Sequence, residues 1–214
     1  MSDIFEEVDE EVRKDKYSRL WKRYGKWFVS CAVALLISAV GYVQWQKYDF
    51  DQRAQSSTEF NAALRLINSK KPEEATRALA ELAKSGTKGY SILAKFRAAG
   101  LKVQAGDSAA ASEIYEAIAE DDEISMLYRD LARLYAIMQR LDVSDTSELS
   151  IELRELLSDD NPWRFSAREI AAVLALRKRD TKSAKKYFKM LTDDPKTPAG
   201  LRQRASNMLQ AIDG

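Results

Sequence analysis

Histidine is absent from this chain of 214 residues, and cysteine occurs once, at Cys31. Without an imidazole there is no usual general base, no commonest metal ligand and no partner to activate a serine or cysteine nucleophile. A single cysteine excludes an internal disulfide framework. Four Pro and eight Gly leave few helix breakers in a sequence rich in Ala, Leu, Glu, Lys and Arg, which favours helix nearly throughout. A glycine-rich phosphate loop and a metal-ligand cluster are both missing, so no cofactor is expected. Neither sign of charge is in excess, with 34 basic against 33 acidic residues, and no preference for nucleic acid follows.

Few acid-base candidates remain. The pairs Asp121-Asp122 and Asp159-Asp160 fall at expected helix ends or turns, where acidic residues act as caps. As paired hydrolytic acids they would need a defined cleft that nothing else in the sequence indicates. The chain therefore reads as a non-enzyme.

What is present is one long uncharged run, Trp27 to Gln46, in a protein where 31% of residues are charged. Twenty residues at about 1.5 Å each cover the roughly 30 Å hydrocarbon core of a bilayer. Trp27, Val33, Leu36, Val40 and Trp45 mark this expected span. Aromatic residues flank it, with Trp21, Tyr24 and Trp27 at one end and Tyr42, Trp45 and Tyr48 at the other, as interface belts do. The alternatives are a buried helix of a soluble core and a cleaved signal peptide, the latter disfavoured by the long charged tail ahead of the run. Basic residues crowd the leading flank, including Lys22, Arg23 and Lys26, whereas the fifteen residues after Gln46 hold only Lys47 and Arg53. This asymmetry predicts a cytoplasmic N-terminus and an exported C-terminal bulk, periplasmic in a bacterium.

The sequence thus divides into a charged tail over 1–26, a transmembrane helix over 27–46 and a helical domain over 47–214. In the tail, Ile4, Val8, Val12, Tyr17, Leu20, Trp21 and Tyr24 recur at helical spacing. They form either a short partner-docking helix or a solvated charged segment that fixes topology. No Gly or Pro occurs between Tyr42 and Lys71, so the span is expected to continue as a fairly stiff helix along Phe50, Ala54, Ser57, Phe60, Leu64 and Ile67.

Beyond it the sequence repeats. Lys70–Leu79, Ala105–Tyr115 and Lys178–Phe188 each read as a turn, a helix start, then Ala75, Ala111 or Ala184, followed four residues later by Leu79, Tyr115 or Phe188. The separations of 36 and 73 imply a unit of about 36 residues and a degenerate unit near Asp142–Leu157, where Asp145 and Glu148 stand at capping-box spacing. Asn161-Pro162 is expected to cap and open a further helix, and Thr197-Pro198 a last one. A period in the mid thirties, with a small residue at the helix crossing and a bulky one a turn later, is the tetratricopeptide pattern, the alternative being an irregular bundle. Ala99 and Ala172 fit the small position of the first helix. The expected fold is all-α, a single transmembrane helix followed by a tetratricopeptide-like α-solenoid of about four helical pairs.

Such a solenoid offers a concave face for an extended or helical peptide. Tyr90, Phe96, Arg97, Tyr128, Arg129, Trp163 and Arg164 belong to the first helices and are of the types that anchor interfaces. The aromatics could instead fill the core, Phe96 and Trp163 most of all. Arg129 and Arg164 could instead pair with acids such as Asp130 and Glu169.

The tail SDIFEEVDEEVRKDKYSRLWKRYGKW before one span, then degenerate repeats with YRDLARL at Tyr128–Leu134 and NPWR at Asn161–Arg164, resembles the YfgM-like proteins of alphaproteobacteria. The resemblance implies a single-pass inner-membrane protein whose periplasmic domain associates with the SecYEG translocon and with a membrane-anchored periplasmic chaperone of the prolyl-isomerase class, helping to hand over translocated polypeptides. Its weak repeats also relate the family to a cell-division coordinator, which keeps a membrane scaffold in envelope organisation as the alternative. Self-association stays open.

Overall fold

A computed structural model describes residues 3–213, with side chains described for 21–31 and 33–212. The side chains of the tail's apolar positions from Ile4 to Leu20 lie outside the described residues. Packing divides the chain between Ala54 and Gln55.

In the first unit, helix α1 (Asp3–Asn68) runs unbroken through the apolar run and onward, as the lack of Gly and Pro after Tyr42 predicts. Trp27 is 73% exposed and Leu36 67%, and Val33, Val40 and Trp45 are exposed as well. Among the described residues none of the apolar window is buried against the rest of the chain, whereas the core helix of a soluble protein is mostly buried. Among the described residues this is the one helix long and apolar enough to cross a membrane. Rings pair near both ends of the window, Trp21 with Phe28 at 6.2 Å and Tyr42 with Trp45 at 6.3 Å.

The second unit takes the end of α1 as its first helix. It continues through α2 (Pro72–Ser85), α3 (Lys88–Gln104), α4 (Ser108–Glu120), α5 (Met126–Arg140), α6 (Thr146–Glu152), a 3-10 segment (Leu153–Leu157), α7 (Arg164–Arg177), α8 (Thr181–Asp193) and α9 (Ala199–Asp213). Each helix packs mainly on its sequence neighbours, the signature of a solenoid. The buried residues accordingly form four clusters strung along the chain rather than one central core.

The repeat is built from two small residues. Ala63, Ala99 and Ala172 on the first helices lie twelve positions ahead of Ala75, Ala111 and Ala184 on the second, and all six are fully buried. Without side-chain bulk two helix backbones approach closely, and the residue four later, Leu79, Tyr115 or Phe188, fills the space beyond. Ala99 and Ala111 share one cluster, and Ala172 and Ala184 another.

The turns repeat as closely as the crossings. Lys70, Gly106 and Arg179 adopt positive φ of 57°, 78° and 59°, the left-handed conformation that ends a helix. In each case the following residue's N–H reaches back to a carbonyl five residues earlier: Lys71 to Leu66, Asp107 to Lys102 and Asp180 to Ala175, at 2.9–3.0 Å. That following residue caps the next helix, and the Asp107 and Asp180 carboxylates accept the N–H groups of Ala110 and Ser183.

The expected degenerate unit is present and its departure has a cause. Asp145 caps α6, accepting from the N–H groups of Ser147 and Glu148. Counting on from the cap by the same four and eight residues gives Leu149 and Leu153, so a leucine occupies the place of the small residue. The bulk prevents the usual close crossing; α6 lasts two turns and tightens into the 3-10 segment, with Leu149, Leu153 and Leu156 buried together. Its turn is also longer, residues 141–144, without a left-handed residue.

One cap differs from expectation. Asn161 does not cap at Pro162; it is 8% exposed, donates to the Asp130 carboxylate at 2.8 Å and accepts the Trp163 N–H at 2.8 Å. The chain therefore turns once more before α7 begins at Arg164.

Substituting the same register position should have opposite optima in different units. Ala111→Leu should cost about 1–3 kcal/mol by overpacking. Leu149→Ala should cost about 2–5 kcal/mol by leaving a cavity. Thermal unfolding followed by circular dichroism checks both, and tolerance of leucine at 111 would refute the close crossing. At the turns, Lys70→Gly and Arg179→Gly should each stabilise by about 0.5–1 kcal/mol, whereas Gly106→Ala should destabilise.

Candidate functional site

The seven interface candidates fall into two neighbourhoods. Tyr90, Phe96 and Arg97 lie on α3. Tyr90 packs its ring 6.0 Å from Phe60 of α1, and Phe96 stands 6.0 Å from Tyr115 and 6.2 Å from Tyr135 in an aromatic cluster. Burial, and then the neighbouring Tyr135, push the Tyr115 hydroxyl above its ordinary pKa. Arg97 is half-buried, and its Nε has no hydrogen-bond partner among the described residues.

The other four gather where α5 and α7 begin, because the Trp163 indole N–H donates to the Leu127 carbonyl at 2.8 Å across 36 residues, one repeat length. Trp163 is half-buried against the cluster of Leu134, Ile137, Leu149 and Leu153, as a pin between repeats. Arg129 faces back to α4, its Nε donating to the Ala119 carbonyl at 3.1 Å and its guanidinium 2.9 Å from Asp122. It satisfies a free carbonyl at a helix end. Arg164 donates to the Asn161 carbonyl and stacks 4.1 Å over the Phe165 ring. Its expected alternative partners are occupied otherwise: Asp130 holds Asn161 and Arg133, and Glu169 receives both Nε and a terminal nitrogen of Arg204 at 2.7 and 2.9 Å. That hydrogen-bonded carboxylate raises the Arg204 pKa. Tyr128 is 40% exposed beside exposed Met126 and Leu127, an apolar edge at the start of α5.

Two clefts have charged walls. The first, about 450 Å³ between α4, α5 and the 3-10 segment, is crossed by ion pairs. Arg140 binds Glu152 and lies 3.3 Å from Glu116, and Arg133 reaches Glu155 at 3.0 Å. Arg133 and Arg140 are thus spent within the fold, and Arg154 lines the same cleft. The second, about 860 Å³, is lined by Lys182, Lys185, Lys186 and Lys189 of α8 together with Arg168 and Leu209. The sequence reading passed over these lysines, although their spacing of three, four and seven residues puts them on one helix face.

The acid pairs are structural. Asp121 receives the Lys95 ammonium at 3.1 Å and then the Glu123 N–H, which hold its carboxyl below the ordinary range. Asp160 is lowered by the Ser158 hydroxyl, and Asp159 pairs with Arg168. For Asp121 and Asp160 the shift favours the ionised form, opposite to that of an acid kept protonated for catalysis. Among the described residues no group of His, Cys, Asp or Glu side chains gathers as a metal site.

The turn, cap and crossing recur in α1–α2, α3–α4 and α7–α8, and a family model for the tetratricopeptide repeat-like domain matches residues 18–143. The chain belongs to the tetratricopeptide repeat-like domain family. Neither a curated protein nor a solved structure gives a significant match. Members of this family are protein-protein interaction modules and typically non-catalytic. The fourth pair, α7–α8, lies beyond the matched residues, yet keeps the same left-handed turn, aspartate cap and alanine crossing.

The caps should give this domain an acid-sensitive edge. Backbone N–H groups of Ser147 and Glu148 lower the Asp145 pKa, and the Ser183 side chain and N–H lower that of Asp180. A depressed folded pKa contributes stability above the unfolded value near 4, lost as pH falls through the folded value. The melting temperature should therefore drop below about pH 4. The double variant Asp145→Asn/Asp180→Asn, which keeps the caps but cannot titrate, should drop less; equal slopes would refute this linkage.

Proposed function

We propose that this protein is a membrane-tethered, non-catalytic interaction module of the bacterial inner membrane, with residues 1–26 in the cytoplasm, 27–46 spanning the bilayer and 47–214 in the periplasm. The carrying observation is that an apolar stretch of helix, none of it buried among the described residues, and a tetratricopeptide-like stack occupy one chain. Exposed apolar area of that length is unfavourable in water and favourable in hydrocarbon, and the basic flank at Lys22, Arg23 and Lys26 orients it.

By its resemblance to the YfgM-like proteins, the module is an accessory of the SecYEG translocon. It helps pass emerging polypeptides to a membrane-anchored periplasmic chaperone. The start of α5 and α7 is the contact region on this reading. Tyr128 and Arg164 are its foremost residues, with Arg129 and Trp163 beside them, while Tyr90, Phe96 and Arg97 extend it along α3.

A photoreactive amino acid at position 128 or 164, activated in intact cells, should capture translocon subunits or a periplasmic chaperone. Capture of division proteins or of further copies of this chain alone would overturn the translocon reading.

A further inference from the structure

Three lysines of the α8 cleft, Lys182, Lys186 and Lys189, carry charge that no ion pair among the described residues neutralises. Helix α8 buries Ala184, Phe188 and Leu191 on one side and turns Lys182, Lys185, Lys186 and Lys189 toward the cleft. Lysines three and four apart repel along a helix, and Lys182 in the first turn also opposes the helix dipole. Among the described residues Lys182, Lys186 and Lys189 make no ion pair. This contrasts with Arg133 and Arg140 of the cleft between α4 and α5, which each meet a glutamate.

The floor adds a second observation. Arg168 lines the cleft while only 4% exposed, and its Nε has no partner among the described residues. Asp159 and Asp194 take its terminal nitrogens, Asp194 at 3.9 Å. Among the described residues Asp193 and Asp194 are the acids of the lining, beside Arg168 and the four lysines, and Met190 and Leu209 supply apolar surface. The volume of about 860 Å³ lies within the range of ligand sites.

We infer that the cleft between α7, α8 and α9 binds an acidic polypeptide segment that also carries apolar side chains. Lys182 to Lys189 spans about 10 Å along the helix. That matches carboxylates on one helical face, or on alternate residues of an extended strand whose opposite face turns its apolar side chains to the Leu209 side of the cleft. An anionic surface without apolar side chains would leave that floor unused. The inference rests on the interaction-module reading of the family and is independent of the translocon.

The test uses the full chain in neutral detergent and a fluorescein-labelled twelve-residue peptide of alternating Glu and Leu, read by anisotropy. Binding should be saturable, weaken with added salt, and exceed that of the Gln-Leu peptide. The triple variant Lys182→Gln/Lys186→Gln/Lys189→Gln should lose roughly tenfold or more in affinity. The matching Lys→Arg triple should retain it, and Lys84→Gln/Lys102→Gln should behave as the parent. Equal binding of the two peptides, or an unaffected glutamine triple with a parental melting curve, overturns the inference. So does displacement of the peptide by dihexanoyl phosphatidylglycerol at equal charge more strongly than by unlabelled peptide, which would reassign the cleft to lipid headgroups. Because the assay contains no translocon, failure of crosslinking in cells and failure of peptide binding are separate results.

Discussion

Close approach of two helix backbones at a pair of alanines is the constraint on which the helical stack depends. With Ala63 and Ala75, Ala99 and Ala111, or Ala172 and Ala184 fully buried, the bulky residue one turn on meets its neighbours at close-packed distance. Each pair alone has too little interior to be stable. Stacking makes the outer face of one pair the core of the next, which is why the buried clusters include residues of three successive helices. Where leucine replaces alanine, at Leu149, the helix shortens and its turn lengthens.

Polar groups hold the stack in register between the clusters. The Ser56 hydroxyl on α1 accepts the Thr87 N–H at 3.0 Å where α3 begins, Trp163 pins α7 to Leu127, and Arg204 clasps Glu169 across 35 residues. These contacts are spaced by about one repeat, as they must be when equivalent helices lie side by side. They also use side chains of the kind that would otherwise advertise an interface.

That double use explains how much was legible in the sequence. The all-helical fold, the repeat length and the positions of Ala75, Ala111, Ala184 and their bulky partners follow from periodicity, since packing acts at fixed steps along a helix. Ala63 escaped notice because alanine is too common in helices to stand out singly. Whether an arginine faces a partner or a carbonyl cannot be read from spacing: Arg129 ends on Ala119 through a helix end that depends on where α4 stops. Lys182, Lys186 and Lys189 lay in plain sequence, but that they make no ion pair among the described residues is visible only in the folded chain.

The first helix of the stack is the closing stretch of the same helix that carries the apolar run. Phe60, Ala63 and Ile67 complete the first buried cluster, and Ser56 holds the start of α3. A soluble fragment obtained by removing the apolar N-terminus must therefore begin ahead of Ser56. One cut at the natural-looking break before Pro72 would strip the first pair of half its interior, exposing Leu79 and Leu82 and leaving the Thr87 N–H without its acceptor.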